Sequence, residues 1–171
     1  MNAEPVCEYH TAYICVGSNL GSKLENCRRG VAELTLDAST RLIDQSLIYR
    51  TAPVDFKDQD WFVNYAVKIA TLLEPLALLH RLKSIERDAG RMRSPIRFGP
   101  RVLDLDIIFY ENLVMEHRQL VIPHPRMHKR RFVLRPLCDI DPQINHPVFL
   151  RTVQSLLEDL DETDQRITEI K

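Results

Sequence analysis

Along the chain, apolar and polar residues alternate with two different periods, and these predict strands and helices in a definite order. Ala12-Tyr13-Ile14-Cys15-Val16 is a short continuous apolar run, which reads as a buried strand. Gly17-Ser18-Asn19-Leu20-Gly21 turns the chain, and Ser22 with Glu25 three residues on forms a capping box that opens a helix. Leu24, Cys27, Val31 and Leu34 then recur at helical spacing and give that helix one apolar face. Leu42 to Thr51 reads as one strand, and Thr51 to Asp60 as a polar surface loop. In the next strand Val63, Tyr65, Val67 and Ile69 share one face, while Phe62, Asn64, Ala66 and Lys68 share the other. Pro75 starts a second helix with the stripe Leu78, Leu82, Ile85 and Ala89, and Gly90 is its natural stop.

A fourth strand follows a loop punctuated by Gly90, Pro95, Gly99 and Pro100. Strict alternation points Leu103, Leu105, Ile107 and Phe109 one way, and Asp104, Asp106, Ile108 and Tyr110 the other. The order strand–helix–strand–strand–helix–strand predicts an α+β fold. It has a ferredoxin-like βαββαβ core and a mainly antiparallel sheet, with both helices on one face. A short connection or small strand at Asn112 to Glu116, another at Leu120 to Ile122, and a helix through Val153, Leu156, Leu157 and Leu160 follow at the C-terminal end. The expected organisation is a loose leader at 1–11, one domain over 12–160 and a polar tail at 161–171, with no second enzymatic domain.

Length and composition fit that reading. The 171 residues suit one domain, and 44% hydrophobic and 27% charged residues are ordinary for a globular protein. The net charge of −1 argues against a general nucleic-acid binder. Positive charge is local instead, at 87–101 and 126–135. Cys7, Cys15, Cys27 and Cys138 are scattered without zinc-site spacing, so a reducing, cytoplasmic compartment is expected. No signal peptide or membrane span is read, and a monomer is expected.

The chemistry gathers around Asp104 and Asp106. Side chains two residues apart on a strand sit about 7 Å apart on the same face. Two carboxylates so placed repel, and each raises the other's pKa. Divalent cations would relieve the repulsion, and Arg91, Arg93, Arg97 and Arg101 just upstream could hold phosphate oxygens. The alternative is a solvated strand face paired to arginines. The arginine loop, weakly anchored by apolar residues, reads as a segment able to close over a ligand. Phe62 and Asn64 on one face would suit a flat heterocycle, with stacking for its ring and an amide for its edge. No glycine-rich phosphate-loop motif is present.

Arg97-Phe98-Gly99-Pro100-Arg101-Val102-Leu103-Asp104-Leu105-Asp106-Ile107-Ile108 closely resembles the signature of the 6-hydroxymethyl-7,8-dihydropterin pyrophosphokinase family. Tyr13 to Leu20, Tyr49-Arg50-Thr51, Phe62-Val63-Asn64, Ile85-Glu86, Gly90-Arg91-Met92-Arg93, Pro123-His124, Arg130-Arg131-Phe132 and Pro136-Leu137 fall in the same order. The resemblance covers roughly residues 12–160. It implies transfer of pyrophosphate from ATP to the pterin's hydroxymethyl oxygen, in folate biosynthesis. By the family pattern Asp104 and Asp106 would hold two Mg²⁺ ions, and Arg91 and Arg101 would be catalytic-loop arginines. Lys83, Glu86, Arg93, Arg97, Arg101, Ile107, His124 and Arg130 would lie along ATP. Thr51, Ala52, Val54, Phe62, Asn64, Phe98, Asp104 and Phe132 would bind the pterin. Phe62 stands where a tyrosine can occur, Phe98 where tryptophan is common, and Lys83 where glutamine can occur. An RNA-binding module on a ferredoxin-like sheet and a metal-dependent phosphohydrolase are the competing functions.

Overall fold

The computed structural model describes residues 8–90, 99–161, 163 and 165–170. Seven elements build the core: β1 (His10–Ser18), α1 (Lys23–Leu34), β2 (Thr40–Gln45), β3 (Tyr49–Thr51), β4 (Phe62–Thr71), α2 (Pro75–Asp88) and β5 (Asp104–Tyr110). β6 (Met115–His117) and β7 (Leu120–Ile122) form a hairpin, and a single 3₁₀ turn at Met127–Lys129 leads into α3 (Arg131–Ile140). β8 (Asn145–His146), β9 (Arg151–Thr152), α4 (Val153–Glu158) and β10 (Ile167–Glu169) complete the chain.

The main sheet runs β10-β3-β4-β1-β5, with β2 beside β3 on the same edge of β4, and every pairing is antiparallel. Taking β2 and β3 as one interrupted strand gives the expected βαββαβ order. β1 is central and buried on both faces, which is why its sequence is an unbroken apolar run. On one face α1 and α2 cover Ala12, Ile14, Val16, Val63, Tyr65, Val67, Ile69, Leu103, Leu105 and Ile107. On the other, α3 and α4 cover Tyr13, Cys15, Ala66, Ile108 and Phe109 with Val133, Leu134, Leu137, Val153 and Leu156. Gly90 stops the second helix with φ +95°, a conformation that glycine adopts without penalty.

Several expectations are corrected. The single strand 42–51 is two, because Ser46 interrupts it: its backbone N–H donates to Ala66 O (3.0 Å) while its hydroxyl accepts the Ala66 N–H (2.9 Å). Alternation along β5 fails at Ile108. Tyr13 pairs with Phe109 but Ile14 pairs with Ile107, so one residue bulges out and reverses the phase. Phe109 therefore packs under α3, and Tyr110 turns to the α1–α2 side. Ser22 precedes α1 but makes no side-chain cap, so the capping box does not form. The basic run before Phe132 leads into a helix, α3, that tolerates Pro136 in its interior. The last helix ends at Glu158, short of Leu160. The supposed polar tail supplies β10, paired with β3, and β1 begins at His10, inside the supposed leader.

The interruption at Ser46 is testable. Ser46 is 5% exposed and Ala66 1% exposed, so Ser46→Ala strands the Ala66 N–H in the interior. The expected cost is about 1–3 kcal/mol in denaturant unfolding; a change within 0.5 kcal/mol, about the level of an ordinary surface substitution, would contradict it.

Candidate active site

The site face of the sheet is organised in rows across strands. Asn64 on β4, Gly17 on β1 and Asp104 on β5 are cross-strand neighbours, and Ala66, Cys15 and Asp106 form the next row. Thr51 and Phe62 pair at the open end of β3 and β4. Gly17 lacks a side chain because Asn64 leans over it: a Cβ there would lie 2.5 Å from Asn64 Oδ1. Asn64, 4% exposed, is held by donating from Nδ2 to Thr51 Oγ1 (2.7 Å). The amide's position is thereby fixed beside Asp104.

One cleft gathers most of the residues expected from sequence. Thr51, Ala52, Val54, Phe62, Asn64, Arg101, Asp104, Asp106, Arg130 and Phe132 all line it. The Arg101 guanidinium bonds the Asp104 carboxylate. Asp106 lies two residues further along β5, with 34% of its side chain exposed. Lys83 on α2 approaches it to 3.9 Å, donates to Leu105 O (3.3 Å) and pairs with Glu86 at 2.7 Å. Glu86 is 1% exposed and also accepts the Leu105 N–H (2.8 Å), so α2 is bolted to β5 behind the acids. His124 donates its backbone N–H to Ile108 O (3.0 Å), and its Nδ1 accepts from Arg126 N (3.2 Å). In the neutral ring the proton is thus left on Nε2.

Burial sets the electrostatics. It raises the Asp106 pKa above the ordinary carboxylate value, and the Asp104 charge raises it further, against Lys83, His124 and Arg101. Burial likewise raises Glu86, with Lys83 opposing, and lowers His124, with Asp106 opposing. Two neighbouring oxygen-donor side chains of like charge suit a hard cation. Among the described residues no group of three or more metal-ligating side chains occurs. The pair fits Mg²⁺ all the same, because Mg²⁺ keeps waters and takes one or two carboxylates plus substrate phosphates.

Two expectations fall differently. The Ile107 side chain is 3% exposed in the α1–α2 core, away from the cleft, because it shares the face of Leu105. Any contact it makes with a nucleotide is left to its backbone. Arg91, Arg93, Arg97 and Phe98 lie outside the described residues. Sequence reasoning also missed several lining residues: Cys15, Pro53, Asp55, Gln59 and Ile108. Asp55 ties the β3–β4 loop across the cleft, bonding the guanidinium of Arg126 and that of Arg130 (3.1 Å). Asn19, 1% exposed, latches three segments. Its Oδ1 accepts the Arg101 N–H (2.7 Å), and its Nδ2 donates to Gln59 Oε1 (2.9 Å) and Asp60 O (3.2 Å). The turn-forming Gly-Ser-Asn was the only available signal for it.

Comparison with known proteins decides the family. The model of the 7,8-dihydro-6-hydroxymethylpterin-pyrophosphokinase family matches residues 13–142. This chain belongs to that family. The 2-amino-4-hydroxy-6-hydroxymethyldihydropteridine pyrophosphokinase of Bacillus subtilis is 44% identical over 133 residues, covering 78% of this chain and 79% of that protein. The folic acid synthesis protein fol1 of Schizosaccharomyces pombe is 40% identical over 149 residues, 87% of this chain. This pyrophosphokinase-family chain spans only 20% of the S. pombe protein. An HPPK-DHPS crystal structure in complex with substrates superposes with TM-score 0.71 at 17% identity, over 91% of this chain and 44% of that one. Plasmodium falciparum HPPK-DHPS gives TM-score 0.71 at 16% identity, over 92% and 42%. At such identities these superpositions establish the fold.

The raised pKa of Asp106 has a stability consequence. The folded state holds that proton more tightly than the unfolded chain does. Stability therefore falls as pH rises from the unfolded value, about 3.9, through the raised folded one. Asp106→Asn removes this penalty. In EDTA it is expected to melt above the wild type at pH 7, with the gap closing towards pH 4. A lower melting temperature than the wild type at both pH values would contradict this.

Proposed function

We propose that this chain transfers the pyrophosphoryl group of ATP to the hydroxymethyl oxygen of 6-hydroxymethyl-7,8-dihydropterin, releasing AMP. The observation that carries the reading is the placement of Asp104 and Asp106 in one cleft with Phe62, Asn64 and Phe132. Acids for a metal–triphosphate and rings for a flat heterocycle then stand side by side. The family match and the 44% identity to the B. subtilis enzyme support it.

In this reading the pterin ring stacks on Phe62 and Phe132. Its edge meets Asn64 and the backbone of Thr51, Ala52 and Val54, and Phe98 covers it. Arg101, Arg130, His124, Lys83 and the loop residues Arg91, Arg93 and Arg97 receive the triphosphate. Asp104 and Asp106 would hold two Mg²⁺ ions, which supply charge neutralisation on the phosphates and favour ionisation of the attacking hydroxyl. The hydroxymethyl oxygen attacks the β-phosphorus. The bond from that phosphorus to the α–β bridging oxygen breaks, and its electron pair leaves with AMP. The hydroxyl proton passes to solvent. Arg101, which bonds Asp104, would meet charge that develops on the transferring group.

We further propose that the chain acts as a cytoplasmic monomer on small molecules, without nucleic acid. Cys15, Cys27 and Cys138 carry free thiols, as in a reducing compartment. Among the described residues no helix is long and apolar enough to cross a membrane.

The deciding assay mixes chain, ATP, Mg²⁺ and the pterin. AMP with pterin diphosphate is expected. ADP, or phosphate released without pterin, would overturn the reading in favour of an ordinary kinase or a phosphohydrolase. Asp106→Ala is expected to lose at least ~10²-fold in turnover, and near-normal activity would contradict its role. Arg101→Ala is expected to lower kcat more than it weakens pterin affinity. A collapse of affinity with kcat kept would contradict that assignment.

A further inference from the structure

The two walls of the cleft come from segments far apart in sequence: 51–55 on one side, and 130–133 on the other. Both are fastened from behind by the same short piece of chain. The Ala52 N–H donates to Arg166 O (2.9 Å), at the point where the β3–β4 loop begins. One residue earlier, the Gln165 side chain reaches the opposite wall. Its Oε1 accepts the Arg131 N–H (2.8 Å) and its Nε2 donates to Lys129 O (2.9 Å).

The Arg131 N–H is the first of α3 and has no acceptor within the helix. Arg130, in the cap position, makes no side-chain cap. Gln165 therefore caps α3 from a distant part of the chain. It does so between Arg130 and Phe132, which reach the cleft together with Val133. β10 then continues along β3, with Ile167 opposite Thr51 and Thr168 opposite Arg50, and Ile170 N–H donates to Ile48 O (2.8 Å). This anchors the piece to the strand that supplies Thr51. The family match ends at residue 142, so the fastening lies outside it.

We propose that residues 165–170 are a positioning element of the ring slot, with Gln165 and Arg166 fixing the spacing between the Ala52 wall and the Phe132 wall. The proposal rests on the reading of the slot as the pterin site. A slot for a flat ring has one productive width. A wall that can retreat loses stacking contact, since dispersion falls steeply with separation. Of the described triphosphate residues, Asp104, Asp106 and Lys83 stand on β5 and α2, whereas β10 pairs with β3; Arg130 alone shares the fastened wall with Phe132. Loss of the fastening should thus weaken the pterin more than the nucleotide, which keeps its other contacts when Arg130 shifts. A strand that merely shields the β3 edge would show no such selectivity.

The test compares the wild type with Gln165→Ala, Gln165→Glu and a chain shortened to end at Asp161. Calorimetry measures the Kd of 6-hydroxymethyl-7,8-dihydropterin and, separately, of a non-hydrolysable ATP analogue with Mg²⁺. Gln165→Ala is expected to weaken the pterin about tenfold, the scale of one to two net hydrogen bonds, with the analogue within about twofold. Gln165→Glu keeps the acceptor for Arg131 but not the donor to Lys129, so it should fall between. The shortened chain, if folded, should weaken the pterin at least as much as Gln165→Ala. Unchanged pterin affinity in Gln165→Ala, or equal loss for both ligands with a lowered Tm, would overturn the proposal. Failure of the wild type to bind pterin would overturn the pterin reading itself, and the proposal with it.

Discussion

Two carboxylates on one face of β5, held partly out of water, impose the constraint that the rest of the site answers. Asp104 and Asp106 are 18% and 34% exposed, enough for a ligand to reach them and too little for water to screen them well. Their mutual repulsion is moderated on two sides by cations from different elements, Arg101 and Lys83. Lys83 is itself held by Glu86, which is buried and bonded to the backbone of β5. A rigid acid pair with residual unfavourable charge is poised to gain from a bound cation and a polyphosphate. Such a site gives up folding stability for binding.

Around that pair the antiparallel sheet works as a ruler. Register places Asn64, Gly17 and Asp104 in one row, and the missing side chain of Gly17 lets the Asn64 amide reach across β1. The aromatic wall, by contrast, depends on tertiary tethers between loops. Asn19 joins the β1–α1 turn to Arg101 and the β3–β4 loop; Asp55 joins that loop to Arg126 and Arg130. The strands thus fix the acids, the amide and Phe62, while polar latches fix the loops and the Phe132 wall.

What the sequence made legible follows that division. Alternation along β4 and along β5 as far as Ile107 assigned both faces correctly, because there apolar and polar residues truly alternate. It failed at Ile107-Ile108-Phe109-Tyr110, four apolar or aromatic residues in a row, where a bulge changes the phase without changing composition. The Ser46 interruption was hidden because a hydroxyl does the work of a backbone partner. α3 was hidden by Pro136 and by its basic start. Thr51, Ala52, Val54, Arg130 and Phe132 were placed through the family resemblance, whereas Asp104, Asp106, Phe62, Asn64 and Arg101 followed from alternation and charge. Asp55 and Gln165 left no sequence signal, and Asn19 only its turn-forming Gly-Ser-Asn context, since each acts through partners 40 residues or more away, or in the case of Gln165, more than 30.

The most direct test of the acid pair as the anchor is a crystal structure of the chain with a non-hydrolysable ATP analogue and Mg²⁺. The account requires cation density about 2.0–2.1 Å from carboxylate oxygens of Asp104 and Asp106, with the triphosphate on the arginine side of the cleft. Well-ordered nucleotide bound elsewhere, with both carboxylates free of metal, would contradict it.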